Sequence, residues 1–510
     1  MSGFPAPRAD LEEPVYRRIA GFLQDSGLGR PELLAHLGIR VISDLGKVQW
    51  AKVDWATLPA DRSIAVRLFL QGAGVARAEL DAGLDPELIA FLTEAGLLDR
   101  VPSRPDVGFC PVMLYPIAGL WAASDRVCDI HGGPLEMGED AVFPALYPGT
   151  LRFLRLMPPT SGALLDVCGG CGIGAMVAAS TSRAAVTSDL AERSHRFTLF
   201  NLRLNGIRNV RSLAAGGYDG VQGEVFDVVV GHPPYVPSLG DGAVFRDGGS
   251  LGEDVIRELV THLPEHLGPG GQAMFLSFGR DTDSAPWQQR VREWLGEHSA
   301  GFDLVLGVFD RKPPESIAAD LAQRHRGDKP GAAQQLEEHF LRHGTRGFVY
   351  GPLYFARTPP GAESITEVVD MVSEFAGAED LAQRLDWVRS RRKPDFEGML
   401  GGWRPRLRMG LELHTRHRFQ NGGVEVEECI LRVDSAIAGN LRIDPGMVPV
   451  LALMDGSRTV LEILDESVRN GAVPPSVTPR EWIGFVAGLV ERGILPFVSG
   501  TTPARAGDTP

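Results

Sequence analysis

Three short stretches carry the residue types that could do chemistry together. Asp166 stands near the end of the apolar run Ala163–Val167, and Cys168, Gly169, Gly170, Cys171, Gly172 and Gly174 follow within eight positions. A strand, a glycine turn and a small-residue helix let a ligand approach the backbone closely and use the amides at the helix start. Asp189 closes a second apolar run, Val186–Asp189. The tetrapeptide His232-Pro233-Pro234-Tyr235 follows a third, Val225–Gly231. Gly170, Gly172 and Ala175 also fit the Gly-x-Gly-x-x-Gly/Ala dinucleotide spacing, which alone is weak evidence. Asp166 argues against that use. A carboxylate beside the turn repels a pyrophosphate but suits a ligand carrying an ammonium and a sulfonium.

His232 brings one acceptor nitrogen when neutral and titrates near neutrality, so it can accept a hydrogen bond or a proton. The alternative is a ring packed under the turn, with only the backbone carbonyl accepting. Tyr235, with a phenol pKa near 10, reads as a wall or stacking platform rather than an acid. Cys168 and Cys171 form a Cys-x-x-Cys, but no second pair or neighbouring His set accompanies them, so they read as small side chains filling the turn.

These groups need elements to hold them. Apolar runs at Ala163–Val167, Val186–Asp189, Val210–Leu213, Val225–Gly231, Ala273–Phe278, Phe302–Phe309 and Gly347–Phe355 predict seven strands. Helical text lies between them, notably Ala175–Ser180, Arg193–Leu204 and Asp254–His266. That alternation is the doubly wound α/β pattern, which places strand-end residues around one crevice.

The whole arrangement resembles the class I S-adenosylmethionine-dependent methyltransferases. Their motif Asp-x-Gly-x-Gly-x-Gly is matched from Asp166, with Cys168 in place of the first glycine, and His232-Pro-Pro-Tyr235 resembles the Asn/Asp/Ser-Pro-Pro-Tyr motif of amino-methylating enzymes. From Ser63 through Gly271, including the turn Phe245-Arg-Asp-Gly-Gly249, the chain is similar to a bacterial methyltransferase family with an amino-terminal helical domain and mostly undefined acceptors. The resemblance implies a Rossmann-like seven-stranded sheet and S-adenosylmethionine as cofactor. It implies that Asp166 faces the methionine ammonium and that Cys168, Gly169, Gly170 and Gly172 permit close approach. Asp189 would hold the ribose hydroxyls with Leu190 beside it, and either Tyr218 or Asp219 would flank the adenine. His232 would border both donor and acceptor. Pro233, Pro234 and Tyr235 would face the acceptor, with His232 and Tyr235 at the reacting atoms. Phe143 and Tyr147, on the segment before the first core strand, either wall the site or anchor neighbouring domains.

His232 in place of Asn weakens the match to a free base amino group or a glutamine amide and fits an acceptor that needs deprotonation. The expected function is therefore methyl transfer to N, C or O of a small-molecule or peptidic acceptor, in specialised metabolite biosynthesis. Two other classes stay open: a protein-glutamine or nucleic-acid amino-methyltransferase, and a non-catalytic S-adenosylmethionine- or peptide-binding assembly protein.

A chain of 510 residues has room for about three domains. Residues 1–110 read as a helical, winged-helix-like cap or dimerisation domain, and 111–358 as the catalytic domain. Residues 359–405 read as a helical linker and 406–500 as a second winged-helix-like domain, similar to modules that bind leader peptides. Helical text is expected over 364–393, and the tail 499–510 reads as unstructured. A net charge of −14 gives no general attraction to phosphate backbones, so nucleic acid is an unlikely partner. No run approaches the ~18 apolar residues of a membrane span, and five cysteines, an odd number, suit a reducing cytoplasm. A homodimer through the terminal domains is compatible with this organisation.

Overall fold

The computed structural model describes residues 5–135, 137–238, 244, 246–324, 331–371, 377–420, 422–432 and 441–497. Phe245 and the tail 499–510 lie outside them. Two compact units emerge, residues 1–299 with 311–359, and residues 300–310 with 360–510.

The first unit opens with α1 (Glu13–Ser26), whose Val15, Tyr16, Ile19, Phe22 and Leu23 are buried at helical spacing. Gly27 ends it in the left-handed conformation at φ 67°. After α2 (Pro31–His36) come α3 (Ala60–Ala65), β1 (Val75–Ala76), α4 (Arg77–Gly83), α5 (Pro86–Glu94), β2 (Asp99–Val101) and β3 (Arg104–Phe109). The three strands pair antiparallel in the order β1-β3-β2. Asp85 starts α5 by accepting from the Leu88 amide at 2.9 Å, with Pro86 at the first helical position. A hairpin follows, β4 (Met113–Ile117) and β5 (Leu120–Ser124).

The core begins with α6 (Pro148–Leu156) and β6 (Ala163–Val167), then α7 (Ile173–Ala178), β7 (Ala184–Asp189), α8 (Glu192–Leu204) and β8 (Val210–Ala214). The chain then returns to the other side of β6 as β9 (Phe226–Gly231), α9 (Asp254–His266) and β10 (Leu267–Thr282). Strands β8, β7, β6, β9 and β10 are parallel neighbours in that order, and Thr345–Arg357 closes the unit's sheet antiparallel to β10. In β6, Leu164, Leu165, Asp166 and Val167 are all buried, as expected of a parallel strand covered on both faces. Because β7 and β8 lie on one side of β6 and β9 and β10 on the other, the winding reverses between β6 and β9. Such a reversal opens a crevice at the carboxyl ends of the strands.

The amino-terminal helices do not stand apart from this core. Tyr16, Phe69 and Leu92 share one buried cluster with Tyr115 of the hairpin and with Ile173, Phe197 and Phe200 of α7 and α8.

In the second unit, Phe302–Val308 pairs in parallel with Thr366–Asp370. Thr366–Asp370 corrects the sequence reading, which made the stretch 364–393 helical throughout. Its β-branched Thr and Val pair suit a strand, and the helix starts only at Ala378. A three-stranded antiparallel sheet follows (Glu412–Gln420, Gly423–Arg432, Leu441–Ile443), then helices Val448–Ala452, Val460–Arg469 and Pro479–Glu491. The last two begin with reciprocal caps, Thr459 with Glu462 and Thr478 with Glu481.

Candidate active site

The crevice at the strand ends holds a cavity of about 1000 Å³. Asp166 at the tip of β6, the glycine turn, Asp189 at the tip of β7 and His232-Pro-Pro-Tyr235 beyond β9 all line it. The two carboxylates and the proline motif thus face one space, as the sequence implied.

The turn is built by left-handed residues. Cys168, Gly170 and Gly172 have φ of 58°, 56° and 81°. Cys168 therefore adopts, as a non-glycine residue, the conformation its motif position demands, at a cost of about 1–2 kcal/mol. The glycines differ in what they exclude. A Cβ on Gly169 would stand 2.0 Å from the Thr187 hydroxyl, and one on Gly174 would stand 2.5 Å from Asp166 Oδ2. A Cβ on Gly170 would meet nothing within 4 Å; it would project into open space beside the cavity. Gly170→Ala meets no atom but places a side chain at a left-handed φ of 56°, so it is expected to cost about 1–2 kcal/mol of stability while weakening donor binding at least tenfold. Gly169→Ala should lower the melting temperature by several degrees. Parallel thermal melts and donor titrations of the two variants check this.

Asp166 is almost fully buried and accepts from the Ala175 amide at 3.0 Å. Burial pushes its carboxyl up to about 7, and Asp189 adds to the effect. Asp189 accepts from the Gly170 amide at 2.9 Å and the Ala191 amide at 3.0 Å, and burial raises its pKa as well. A cationic ligand is the natural occupant, since it restores the ionised form of both groups. Without a ligand, the raised Asp166 contributes stability that is fullest below about pH 4 and lost as pH rises through about 7. With a cationic donor the sign reverses. Donor affinity should strengthen about tenfold or more between pH 5.5 and 7.5. Titration across that range checks it, and Asp166→Asn should flatten the dependence.

His232 carries no charged neighbour strong enough to hold a proton. Its ring lies 5.7 Å from that of Phe153 and 5.8 Å from that of Tyr235, both stacked, and burial pushes its pKa down to about 4. Its Nε2 is shut from solvent and, among the described residues, has no hydrogen-bond partner. Tyr235 is tied up: its hydroxyl is hydrogen-bonded to Tyr350, which Arg152 also engages. The residue lines the cavity, and the Arg246-Asp247-Gly248-Gly249 turn packs against its backbone. A Cβ on Gly248 would stand 2.8 Å from Tyr235 Cα.

Phe143 and Tyr147 stack at 4.5 Å, remain 37% and 44% exposed, and line the cavity. Leu190, 67% exposed, lines it too. Of the pair offered for the adenine, Asp219 lines the cavity and Tyr218 does not. Tyr218 is buried, donates its hydroxyl to the Leu259 carbonyl at 2.9 Å and stacks on His266 at 4.4 Å. Gly172 likewise shapes the turn without walling the cavity, packing against Thr198. Sequence reasoning missed Asp140, Phe153, Arg246, Asp247 and Glu258 as lining residues and Tyr350 as the partner of Tyr235. Only the Arg246-Asp247 turn had a local signal, its Asp-Gly-Gly.

An open parallel sheet with this switch point, two acids at consecutive strand tips and a glycine turn between them is that of a class I S-adenosylmethionine-dependent methyltransferase domain. Comparison with known proteins agrees: residues 142–284 match the methyltransferase small domain family. The chain is 28% identical over 161 residues to a release factor glutamine methyltransferase of Rhodospirillum rubrum, covering 29% of this chain and 49% of that protein. It is 27% identical over 207 residues to a ribosomal protein uL3 glutamine methyltransferase of Bradyrhizobium diazoefficiens, covering 36% and 65%. It is 28% identical over 142 residues to a ribosomal RNA small subunit methyltransferase C of Mannheimia succiniciproducens, covering 27% and 37%. The chain thus spans only about half the length of the first of these relatives. S-adenosylmethionine is the cofactor of this class, and the cavity suits it. The open position over Gly170 leaves room for close approach, and two buried carboxylates await a cation.

Proposed function

We propose that this chain methylates an uncharged nitrogen, an amide on a peptide or protein side chain, using S-adenosylmethionine. The observation that carries the reading is the unpartnered Nε2 of His232, buried in the cavity wall and held neutral. Protonating it at pH 7 costs about 3–4 kcal/mol more than charging a free imidazole against the same pH, so it cannot take a proton from an ammonium acceptor. Once a small shift of the ring opens that nitrogen to the cavity, it can accept a hydrogen bond from a planar amide N–H. The donor supplies a methyl on a sulfonium, already activated for in-line transfer. The chain has to align the acceptor, stack it on Tyr235 and keep water out. After transfer the amide nitrogen carries one proton too many. An N-protonated amide is a far stronger acid than imidazolium, so even a weak base such as His232, or water, receives that proton.

The glutamine acceptors named for two of the relatives fit this better than a small specialised metabolite. Nucleic acid fits less well. The described cavity wall presents Asp140, Asp166, Asp189, Asp219, Asp247 and Glu258 against a single arginine, Arg246, and this excess of acidic groups disfavours phosphate. The order α3-β1-α4-α5-β2-β3, with its β1-β3-β2 sheet, supports a winged-helix cap. Its α5 has Glu87 and Glu94 and no Lys or Arg, so it serves as a cap rather than a reader of DNA. Incubation of the full chain with methyl-labelled donor and glutamine-containing peptides, read by mass spectrometry, tests the proposal. Label on the amide nitrogen is expected; label confined to carbon or oxygen of a small molecule would overturn it.

A further inference from the structure

The cavity's wall on the side of residues 141–147 is not held by the methyltransferase core alone. Along this strap Val142, Ala145 and Leu146 are buried while Phe143 and Tyr147 face outward at the mouth. Two side chains of the preceding hairpin fix it. Tyr115 of β4, fully buried, accepts the Ala145 amide on its hydroxyl at 2.7 Å. Asp125, just after β5, accepts the Val142 amide at 2.8 Å, while its own amide donates to the Val142 carbonyl at 3.0 Å. The Asp125 carboxylate is also gripped by Arg193 of α8, with Nε at 2.9 Å, and that guanidinium lies 5.3 Å over the Phe197 ring.

The hairpin in turn is joined to the donor turn. Asn201 of α8, with no exposed surface, accepts from the Ala123 amide at 2.7 Å and donates to the Ala123 carbonyl at 3.2 Å and to the Cys171 carbonyl at 2.9 Å. Asn205 repeats the pattern one turn on, bonding both the amide and the carbonyl of Trp121. A continuous chain of buried hydrogen bonds therefore runs from the strap through β4 and β5 to the glycine turn. Networks of this kind hold a geometry rather than merely filling space.

We infer that Tyr115 and Asp125 are positioning residues of the donor site, setting donor affinity by fixing the strap Ala141–Tyr147 over the cavity. Neither lines the cavity, so each acts through Ala145 and Val142. The inference rests on the donor reading above. Tyr115→Phe keeps the ring and removes the hydroxyl that accepts the Ala145 amide and also bonds the Ser124 side chain. It should weaken S-adenosylmethionine binding, and raise its KM, about fivefold with kcat within twofold of the parent. Deuterium exchange at the Ala145 amide should accelerate by a similar factor. Asp125→Asn keeps one acceptor for Val142 but loses the charge pairing with Arg193, and should weaken binding about tenfold. A purely structural role would lower the melting temperature and leave donor affinity and KM of the folded enzyme unchanged; that result would overturn the inference. If the parent protein itself fails to bind S-adenosylmethionine, the donor reading fails instead.

Discussion

Asp189→Ala is expected to weaken S-adenosylmethionine binding about 100-fold or more while the protein stays folded. The carboxylate is held at the end of β7 by the Gly170 and Ala191 amides, so it cannot turn away from the cavity. Ser194 engages the carboxylate as well, and Asp189 lines the cavity, where a pair of ligand hydroxyls would find an acceptor fixed in advance. Charge-assisted hydrogen bonds contribute about 1.5–3 kcal/mol each, and losing two of them amounts to about two decades of affinity. Asp189→Asn keeps the shape and one acceptor oxygen, so a loss of only about tenfold is expected. Equilibrium dialysis with labelled donor checks both. A binding constant for the alanine variant within threefold of the parent would show that Asp189 does not hold the donor.

His232→Ala should lower kcat about 100-fold with donor affinity nearly unchanged if, as the proposed function requires, the cavity-lining ring serves the acceptor more than the donor. His232→Asn separates two roles. If the imidazole only accepts a hydrogen bond, asparagine should recover turnover to within about tenfold of the parent. If it must remove a proton, asparagine should be as poor as alanine. The buried ring also fixes the pH profile. With its pKa near 4, the acceptor nitrogen loses its lone pair only below that value, so kcat should be flat from pH 6 to 8. An inflection near 6.5 that disappears in His232→Asn would contradict this assignment and restore proton removal.

How much of this the chain disclosed on its face depends on the range of the interactions. Asp166, Asp189 and the motif from His232 were legible because each ends a strand, and strand ends in a doubly wound sheet converge. The neutrality of His232 was not legible. It arises from Phe153 on α6 and from the ring of Tyr235, and the first of these is far away in sequence. That burial favours hydrogen-bond acceptance over proton removal, two roles that the residue type alone left open. Tyr218 was misplaced for a similar reason: a buried partner carbonyl on α9 captures its hydroxyl. Thr366–Asp370 went unrecognised because five residues in polar surroundings carry little periodicity, and their partner strand Phe302–Val308 lies some 60 residues earlier. The role of the β4–β5 hairpin was invisible, since Asp125 meets Val142 across a 17-residue separation that no periodicity in the sequence marks.

The central claim is that two carboxylates at neighbouring strand tips grip a cationic nucleoside donor. Calorimetric titration of the full chain, first with S-adenosylmethionine and then with NAD, tests it most directly. One-to-one binding of S-adenosylmethionine in the micromolar range, with no heat from NAD, is the predicted result. Binding of NAD with none of S-adenosylmethionine would contradict it.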